Sequence, residues 1–355
     1  MSLLVAYRTL GLGDLLTAVP ALRALADAFP GHRRVLATPG VLAPLAALTG
    51  AVDDVVDTGE LAPVRLEASG FHIVVGHRPD VAVNLHGRGP ESHRAVLACR
   101  PGRLLAFAHQ DVPRTRGSPR WRRGEHEVTR WCRLLEESGI AADPGRLDLP
   151  PPDVPAPAEA AGVTVVHPGA KDRARCWPAD RWVAVARSER GRGRKVVITG
   201  SAAERPLAEA VARDAGLRPH AVLAGRTDLL QLAAVVAVAG RVVCGDTGVA
   251  HLATALRTPS VVLFGPVPPA EWGPPPDRPW HVALWAGRGG DPHAAEVDPG
   301  LLDIEVTDVL EALRALPGAE PAARRQPPPR ATERLAPAGQ GSRRTVSDRR
   351  TWPSG

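Results

Sequence analysis

The chain has 355 residues, a formal net charge of +6, a hydrophobic share of 44% and a charged share of 23%. A single hydrophobic core usually stops growing below this length, so we expect two domains. No apolar stretch is long enough to span a bilayer, and the first residues lack the basic start and cleavage site of a signal peptide. The four cysteines form no C-x-x-C pair, which argues against a zinc or redox motif and favours a cytoplasmic protein.

The positive charge is concentrated at the C-terminus. Residues 319–355 contain eight arginines and only three acidic residues, among many Pro, Gly and Ser. This composition predicts a disordered, solvated basic tail and leaves the folded body close to neutral. The charge therefore does not predict a nucleic-acid partner, although such a tail is compatible with peripheral association with an anionic membrane.

The first half of the chain alternates between strand-like and helix-like segments. Apolar runs of three to five residues predict strands, and apolar stripes at helical spacing predict helices. The predicted strands are 3–7, 34–37, 54–56, 73–75, 81–85 and 104–107, and the predicted helices are 14–28, 42–48, 91–99 and 126–138.

A proline-rich segment at 149–157 interrupts this alternation, which then starts again. Proline cannot continue a central strand, so we place a linker at 151–160, between an N-terminal domain 1–150 and a C-terminal domain 161–318. The second half predicts strands at 163–167, 195–199, 242–244 and 261–264, and helices at 179–188, 229–237, 249–256 and 306–316, with a further helix that follows the segment 200–204 and ends at 214. Such alternation predicts two α/β domains with parallel sheets and a ligand cleft between the carboxyl ends of their strands.

The segment 244–251 predicts a phosphate site. Apolar residues lead into Gly-Asp-Thr-Gly, and a helical pattern follows. The first amides of a helix lack internal partners and carry the positive end of the helix dipole, so they suit a phosphate. Thr247 would add a hydroxyl, and Gly248 would let the backbone approach closely. The alternative is that Asp246 or Thr247 merely caps the helix.

A second turn of similar chemistry follows the first predicted strand. Gly11 and Gly13 resemble the start of a dinucleotide-binding fingerprint, but Leu16 occupies the third glycine position. A nicotinamide or flavin site is therefore poorly supported. Asp14 either caps its helix or acts as a general base in the cleft.

Taken together, these segments resemble glycosyltransferase family 9, which includes the ADP-heptose:lipopolysaccharide heptosyltransferases. The pairing of Gly-Leu-Gly-Asp-Leu-Leu-x-x-x-Pro-Ala-Leu with Gly-Asp-Thr-Gly-x-x-His carries the resemblance. Other segments that agree, in chain order, are His-Pro-Gly-Ala at 167–170, Arg-Cys-Trp-Pro at 175–178, Thr-Gly-Ser-Ala-Ala-Glu at 199–204, Leu-Ala-Gly-Arg-Thr-Asp-Leu at 223–229 and Val-Leu-Phe-Gly-Pro at 262–266.

The resemblance implies a GT-B architecture, in which two Rossmann-like domains face each other across a central cleft. It also implies metal-independent, inverting transfer of a sugar from a nucleotide-diphosphate donor to a glycan or lipid-linked acceptor, with no cofactor and no metal. Asp14 matches the base that deprotonates the acceptor. The donor-side residues that match the family are Arg175, Glu204, Asp246, Thr247, Gly248 and His251.

Within that set, the resemblance places Asp246 near the donor sugar and gives the diphosphate turn Thr247, Gly248 and His251. Glu204 matches a ribose-binding carboxylate, or only complements a helix dipole. Arg175 stands where heptosyltransferases carry a phosphate-binding lysine, or is a surface arginine beside a tryptophan. Gly169 and Ala170 depart from the family, which often has hydroxyl residues there.

The resemblance places the acceptor side at Gly13 and at the polar loop 84–94, which contains His86, Arg88 and Arg94. Basic residues in this loop would suit an anionic acceptor. A metal site at His86 and His93 is disfavoured, because no carboxylate or cysteine lies at a useful spacing. Two alternatives stay open: a dinucleotide-dependent oxidoreductase, and a non-catalytic nucleotide-sugar-binding protein on the same fold.

Overall fold

The computed structural model describes residues 2–59 and 78–317, and they form two parallel five-stranded sheets. The strand predicted at 73–75 and the tail predicted at 319–355 lie outside the described residues. Among the described residues, no helix combines the length and apolar character needed to cross a membrane.

The first sheet has the order β3-β2-β1-β4-β5. Its strands are short and nearly continuous apolar runs, as expected for a parallel sheet covered by helices on both faces. The elements of this half are β1 (Leu3–Tyr7), α1 (Leu12–Ala28), β2 (Arg33–Thr38), α2 (Ala43–Leu48), β3 (Asp54–Asp57), β4 (Val81–Asn84), α3 (Pro90–Leu97), β5 (Arg103–Leu105) and α4 (Glu127–Glu136).

The second sheet has the order β10-β9-β8-β6-β7, also with parallel neighbours. Its elements are β6 (Thr164–His167), α5 (Ala179–Gly191), β7 (Val196–Ile198), α6 (Arg205–Asp214), α7 (Leu229–Val238), β8 (Arg241–Gly245), α8 (Gly248–Ala255), β9 (Ser260–Phe264), α9 (Pro269–Trp272), β10 (His281–Trp285), α10 (Pro299–Leu302) and α11 (Val306–Ala315). The predicted α/β fold with two parallel sheets is confirmed.

Strand order reverses next to the first strand of each sheet. In the first sheet, β1 lies between β2 and β4, and in the second, β6 lies between β7 and β8. A crevice opens at such a point because the connections leave the two neighbouring strands in opposite directions. The turns that follow β1, β4, β6 and β8 border this crevice, and they contain several of the predicted site residues, among them Asp14, His86, Arg175 and Asp246.

The sequence prediction misplaced several boundaries and missed some elements. β5 ends at Leu105 rather than at 107, and α3 begins at Pro90 and ends at Leu97 rather than running from 91 to 99. β10 and the short helices α9 and α10 were not predicted. β10 is an edge strand of five residues, of which only one is buried, and it follows a proline-rich segment, so its pattern is weak.

One hydrophobic core runs from the helices of the first half into those of the second. Leu15 and Leu16 of α1, Trp131 of α4 and Leu252 of α8 belong to the same buried cluster. The two sheets are therefore joined by packed helices and not only by the chain at 151–160. The predicted domain boundaries stay a prediction.

Candidate active site

Asp14 lies in the first turn of α1, immediately after the turn that leaves β1. Gly11 is the N-cap of this helix, and Asp14 Oδ2 accepts a hydrogen bond from the Gly11 amide at 3.2 Å. The interpretation of Asp14 as the N-cap is therefore wrong, because Asp14 is the third helical residue. Its side chain is 24% exposed, so the carboxylate is partly open to the cleft.

The turn after β8 has a matching geometry. Thr247 is the N-cap of α8, but its hydroxyl does not bond the helix amides, and Asp246 does not cap the helix either. The Thr247 hydroxyl is buried without a hydrogen-bond partner among the described residues. The N-terminus of α8 therefore keeps its first amides free of any side-chain cap, as an anion site requires.

The two turns touch each other. A methyl group on Gly13 would lie 2.7 Å from the Cδ2 atom of His251 and 3.6 Å from the Gly248 Cα. A methyl group on Gly248 would lie 2.8 Å from the Leu12 Cβ. These glycines are thus required for close packing of α1 on α8, a role that the sequence prediction did not assign to them. His251 packs edge-on against Trp272 at 5.8 Å between ring centroids, and burial lowers its pKa to about 4.

Two carboxylates at this junction have raised pKa values. Asp246 is 7% exposed, and burial raises its pKa to about 6. The charge of Arg175 opposes this shift, while that of Asp14 reinforces it. Burial also raises the pKa of Asp14 against the opposing charge of Arg8. The acid of the first half and the acid of the second half therefore interact electrostatically across the cleft.

Arg175 lies beside the turn after β8. Its Nη1 is 3.8 Å from Asp246 Oδ2 and donates to the Asp246 carbonyl at 3.3 Å, and its Nη2 donates to Asp172 at 2.7 Å. The hydrogen bond from Arg175 lowers the pKa of Asp172 against the smaller effect of burial. Arg175 Nε is buried without a hydrogen-bond partner in the part of the chain that the structure describes. The guanidinium is thus fixed next to the N-terminus of α8, with donor capacity to spare.

A cavity of about 550 Å³ opens beside this junction. Its volume falls in the range of small-molecule sites, and its walls are mostly apolar with a few polar groups. From the first half it is lined by Leu12, Val41 and Pro44; from the second half by His167, Gly200, Ser201, Ala202, Glu204, Thr227, Asp228, Leu229, Leu230, Leu232, Gly248 and Val249.

Glu204 reaches into this cavity from the start of α6. Its Oε2 accepts from the Ser201 amide at 2.7 Å, and its other oxygen lies so close to Gly169 that a methyl group there would be 2.1 Å away. The departure from the family at Gly169 therefore leaves room for the carboxylate. His167 donates to or accepts from the Thr199 hydroxyl at 3.0 Å; burial lowers its pKa, against the charge of Glu204.

The predicted acceptor loop follows β4. His86 is hydrogen-bonded to the Thr9 hydroxyl at 3.1 Å, and burial lowers its pKa to about 4. His93 is fully buried, donates to the Phe107 carbonyl at 2.7 Å and accepts from the Asn84 amide at 3.0 Å, so it is a structural histidine. Arg88 and Arg94 are exposed to solvent. His86 thus lies next to the turn that carries Asp14, while the two arginines lie on the surface.

Sequence reasoning missed two charged residues behind Asp14. Arg8 is buried to 1% exposure, and its Nη2 lies 3.2 Å from Asp14 Oδ1 and 2.9 Å from Glu127 Oε1. One signal was available: an arginine directly after a buried strand must find a partner, because an unpaired buried charge is costly. That partner comes from α4, more than a hundred residues away, so only the fold reveals it.

Among residues 2–59 and 78–317, no group of three or more metal-ligating side chains comes together.

A sequence model of glycosyltransferase family 9 (heptosyltransferase) matches residues 115–295, about half of the chain. The chain belongs to glycosyltransferase family 9. The predicted family is confirmed, and with it the GT-B architecture of two Rossmann-like domains around a central cleft. The family does not favour the dinucleotide-dependent oxidoreductase.

Among curated relatives of this family 9 chain, lipopolysaccharide heptosyltransferase 3 of Escherichia coli K12 is 31% identical over 129 residues. That match covers 35% of this chain and 36% of the relative. The chain thus spans about a third of the length of this relative.

Solved structures of family 9 proteins share the fold. The family 9 glycosyltransferase from Veillonella parvula has a TM-score of 0.72 at 18% identity, covering 88% of this chain and 96% of that one. The ADP-heptose lipopolysaccharide heptosyltransferase II of E. coli has a TM-score of 0.65 at 21% identity, covering 89% and 98%. The E. coli glycosyltransferase TibC, described as iron-containing and dodecameric, has a TM-score of 0.57 at 15% identity, covering 88% and 77%.

Proposed function

We propose that this chain is a glycosyltransferase that moves a sugar from a nucleotide-diphosphate donor to a glycan or lipid-linked acceptor of the cell envelope. The observation that carries the proposal is the contact between the turn of Asp14 and the N-terminus of α8. A carboxylate from one domain and an anion-binding helix end from the other thus border one cleft. That is the arrangement an inverting displacement needs, with a base on one side and a stabilised leaving group on the other.

In the proposed reaction, Asp14 takes the proton of the acceptor hydroxyl. The acceptor oxygen forms a bond to the anomeric carbon as the bond from that carbon to the diphosphate oxygen breaks. The configuration at the anomeric carbon inverts, because attack and departure occur on opposite faces. A raised pKa makes the ionised form of Asp14 a stronger base than an ordinary aspartate, which favours this role.

The departing diphosphate would bind the first amides of α8, the Thr247 hydroxyl and Arg175. The buried donor atoms without partners at Thr247 and Arg175 support this assignment. A guanidinium can bind two phosphate oxygens at once, so Arg175 is a suitable replacement for lysine. Since these groups supply the positive charge, we propose that the transfer needs no divalent metal.

The remaining donor contacts follow from the cavity. Glu204 would accept hydrogen bonds from the ribose hydroxyls, and Asp246 would lie near the transferred sugar. The names of curated relatives support heptose as the first sugar to test.

On the acceptor side, Gly13 and His86 border the base, and exposed Arg88 and Arg94 would suit an anionic glycan. A cytoplasmic location, with peripheral contact to the inner membrane face, completes the proposal.

The deciding experiment is a donor screen followed by a transfer assay. Thermal shift with ADP-, GDP-, UDP- and dTDP-sugars identifies the donor, and candidate acceptors are then added. We expect Asp14→Asn to abolish transfer while the donor still binds, and the exposed-carboxyl variant Asp111→Asn to transfer like the wild type. Full transfer by Asp14→Asn would refute the base assignment, and loss of transfer in a chelator would refute metal independence.

A further inference from the structure

The Asp14 carboxylate is held from behind by one buried arginine. Arg8 Nη2 contacts Asp14 Oδ1 at 3.2 Å, and Arg8 Nε donates to the main-chain carbonyl of Asp14 at 2.6 Å. Arg8 therefore donates hydrogen bonds to both the side chain and the backbone of Asp14. The other carboxylate oxygen, Oδ2, accepts from the Gly11 amide. These contacts fix the orientation of the carboxylate plane.

Arg8 is itself fixed on every side. Its Nη1 donates to the Leu85 carbonyl, its Nη2 donates to the Thr17 hydroxyl at 3.2 Å, and its guanidinium lies 4.9 Å from the centre of the Trp131 ring. A fully buried guanidinium is stable only when its charge and its donors are satisfied. Asp14 alone does not provide this, because its carboxylate is partly open to solvent.

Glu127 supplies the remaining charge from α4. Its Oε1 accepts from Arg8 Nη2 at 2.9 Å and from Trp131 Nε1 at 2.9 Å, and its Oε2 pairs with Arg130. Burial opposes ionisation of Glu127, but Arg8 and Arg130 outweigh it and hold its pKa below the ordinary value. Glu127 is therefore an anion that competes with Asp14 for the same guanidinium.

The charged and titratable groups around Asp14 come from four elements. Arg8 follows β1 and Glu127 lies on α4, and the turn before α8 brings Asp246. The histidines near this junction are His86 after β4 and His251 on α8, and burial lowers the pKa of each to about 4, so both are neutral near pH 7. Arg8 and Glu127 are thus the two fixed charges behind Asp14, with opposite signs.

We propose that the buried Arg8–Glu127 pair is a positioning device that orients Asp14 and sets how readily Asp14 takes up a proton. Arg8 favours the ionised carboxylate, and Glu127 weakens that effect by sharing the guanidinium and adding a negative charge. The balance of these two opposite charges thereby sets the basicity of Asp14. This inference rests on the proposed function only for its catalytic meaning, because the proton uptake of Asp14 is measurable without substrate.

The test is a ¹³C NMR titration of protein labelled at the aspartate carboxyl carbons, with the Asp14 signal assigned from its loss in Asp14→Asn. We expect Glu127→Gln to lower the midpoint of the Asp14 titration and Arg8→Gln to raise it, each by about one pH unit. Arg8→Lys keeps the positive charge but loses the several N–H donors of the guanidinium. It should shift the midpoint of the Asp14 titration less than Arg8→Gln does. Opposite shifts from two variants of one ion pair cannot arise from a general loosening of the fold.

A matched control exists on the same helix. Arg133 pairs with Glu125 through two hydrogen bonds of 2.6 and 2.7 Å, as a second pair at α4. Glu125→Gln removes the same kind of charge and should leave the Asp14 titration unchanged. Shifts in the same direction for Arg8→Gln and Glu127→Gln, or no shift in either, would overturn the proposal. If Arg8→Gln does not fold, Glu127→Gln and Arg8→Lys decide it, because each preserves the size and most contacts of the side chain.

Transfer kinetics separate this inference from the function on which its meaning depends. The acidic limb of kcat/KM against pH should follow the NMR midpoints in all variants, with donor KM little changed. Transfer by Asp14→Asn with an unchanged acidic limb would refute the base, whatever the pair does. Abolished transfer in Asp14→Asn together with a limb that does not move in the pair variants would refute the positioning role alone.

Discussion

Gly248 lies against Leu12 so closely that a methyl group on the glycine would be 2.8 Å from the leucine Cβ and 2.9 Å from its Cγ. The first residues of α1 and α8 are thus in van der Waals contact across the cleft. Helix packing alone therefore requires a glycine at position 248, independently of any contact between its backbone and a ligand.

Gly248→Ala should therefore destabilise the protein. The added methyl group meets the Cβ of Leu12, which cannot rotate away, so the two helices must move apart. Overpacking of this kind costs about 1–3 kcal/mol in the free energy of unfolding, measured by urea denaturation. We expect kcat/KM for transfer to fall as well, since the displacement separates Asp14 from the helix end.

The control for this variant is Gly31→Ala, because a methyl group at Gly31 meets no atom within 4 Å. It should leave both stability and transfer unchanged. Equal stability of Gly248→Ala and the wild type would show that the contact between the helices is adjustable.

Asp246 should make stability depend on pH. Its pKa in the native state is about 6, against an ordinary 3.8, so the native state binds this proton more tightly than the unfolded state. The stabilising contribution is fully present below pH 3.8 and is lost as pH rises through 6. An asparagine side chain at position 246 does not titrate. The free energy of unfolding of Asp246→Asn, relative to that of the wild type, should therefore rise by up to about 3 kcal/mol between acid and neutral pH.

Urea denaturation at about pH 4.5 and about pH 7.5 tests this expectation. The stability difference between Asp246→Asn and the wild type should be larger at the higher pH. The same substitution at exposed Asp277 serves as the control. A difference independent of pH would mean that Asp246 is not the group that titrates.

Arg175→Ala should weaken binding of nucleoside diphosphates. A charge-assisted hydrogen bond to phosphate contributes about 1.5–3 kcal/mol, so Kd measured by calorimetry should rise about tenfold or more. Arg175→Lys should fall between this variant and the wild type. Arg173 lies in the same short turn and is exposed, so Arg173→Ala is the matched control. Unchanged affinity in Arg175→Ala would place the diphosphate elsewhere.

Val41 should contribute to nucleotide binding from the opposite wall of the cavity. Its side chain is 69% exposed although it is apolar, and it lines the cavity with Pro44 opposite the start of α7. Covering an exposed aliphatic group with a ligand contributes about 1 kcal/mol, so Val41→Ser should raise the nucleotide Kd about fivefold.

Binding of inorganic pyrophosphate distinguishes the loss of a contact between Val41 and the nucleotide from a general distortion of the site. It would occupy the end of α8 without reaching Val41, so its Kd should be the same in Val41→Ser and the wild type. Leu302→Ser changes an exposed apolar residue that does not line the cavity, and it should change neither Kd. Equal loss of pyrophosphate and nucleotide binding would argue against a nucleobase contact.

The local order of elements was predictable, and its failures have physical causes. The strand at Leu3–Tyr7 and the helix that follows were predicted from an apolar run, a glycine turn and an apolar stripe. The alternative that Asp14 caps its helix followed from the frequency of aspartate at N-caps, whereas backbone geometry gives that position to Gly11. β10 was missed because an edge strand buries too little to show a clear pattern.

By itself, the sequence determined the α/β class, the parallel sheets and the family, because hydrophobic periodicity and turn motifs are local properties of the chain. The tertiary structure alone decided that Gly13 and Gly248 serve the packing of two helices, that Asp14 interacts with Asp246, and that Arg8 is shared between Asp14 and Glu127. Each of these depends on residues more than a hundred positions apart. Burial and charge–charge energies depend on distances that only the folded chain sets.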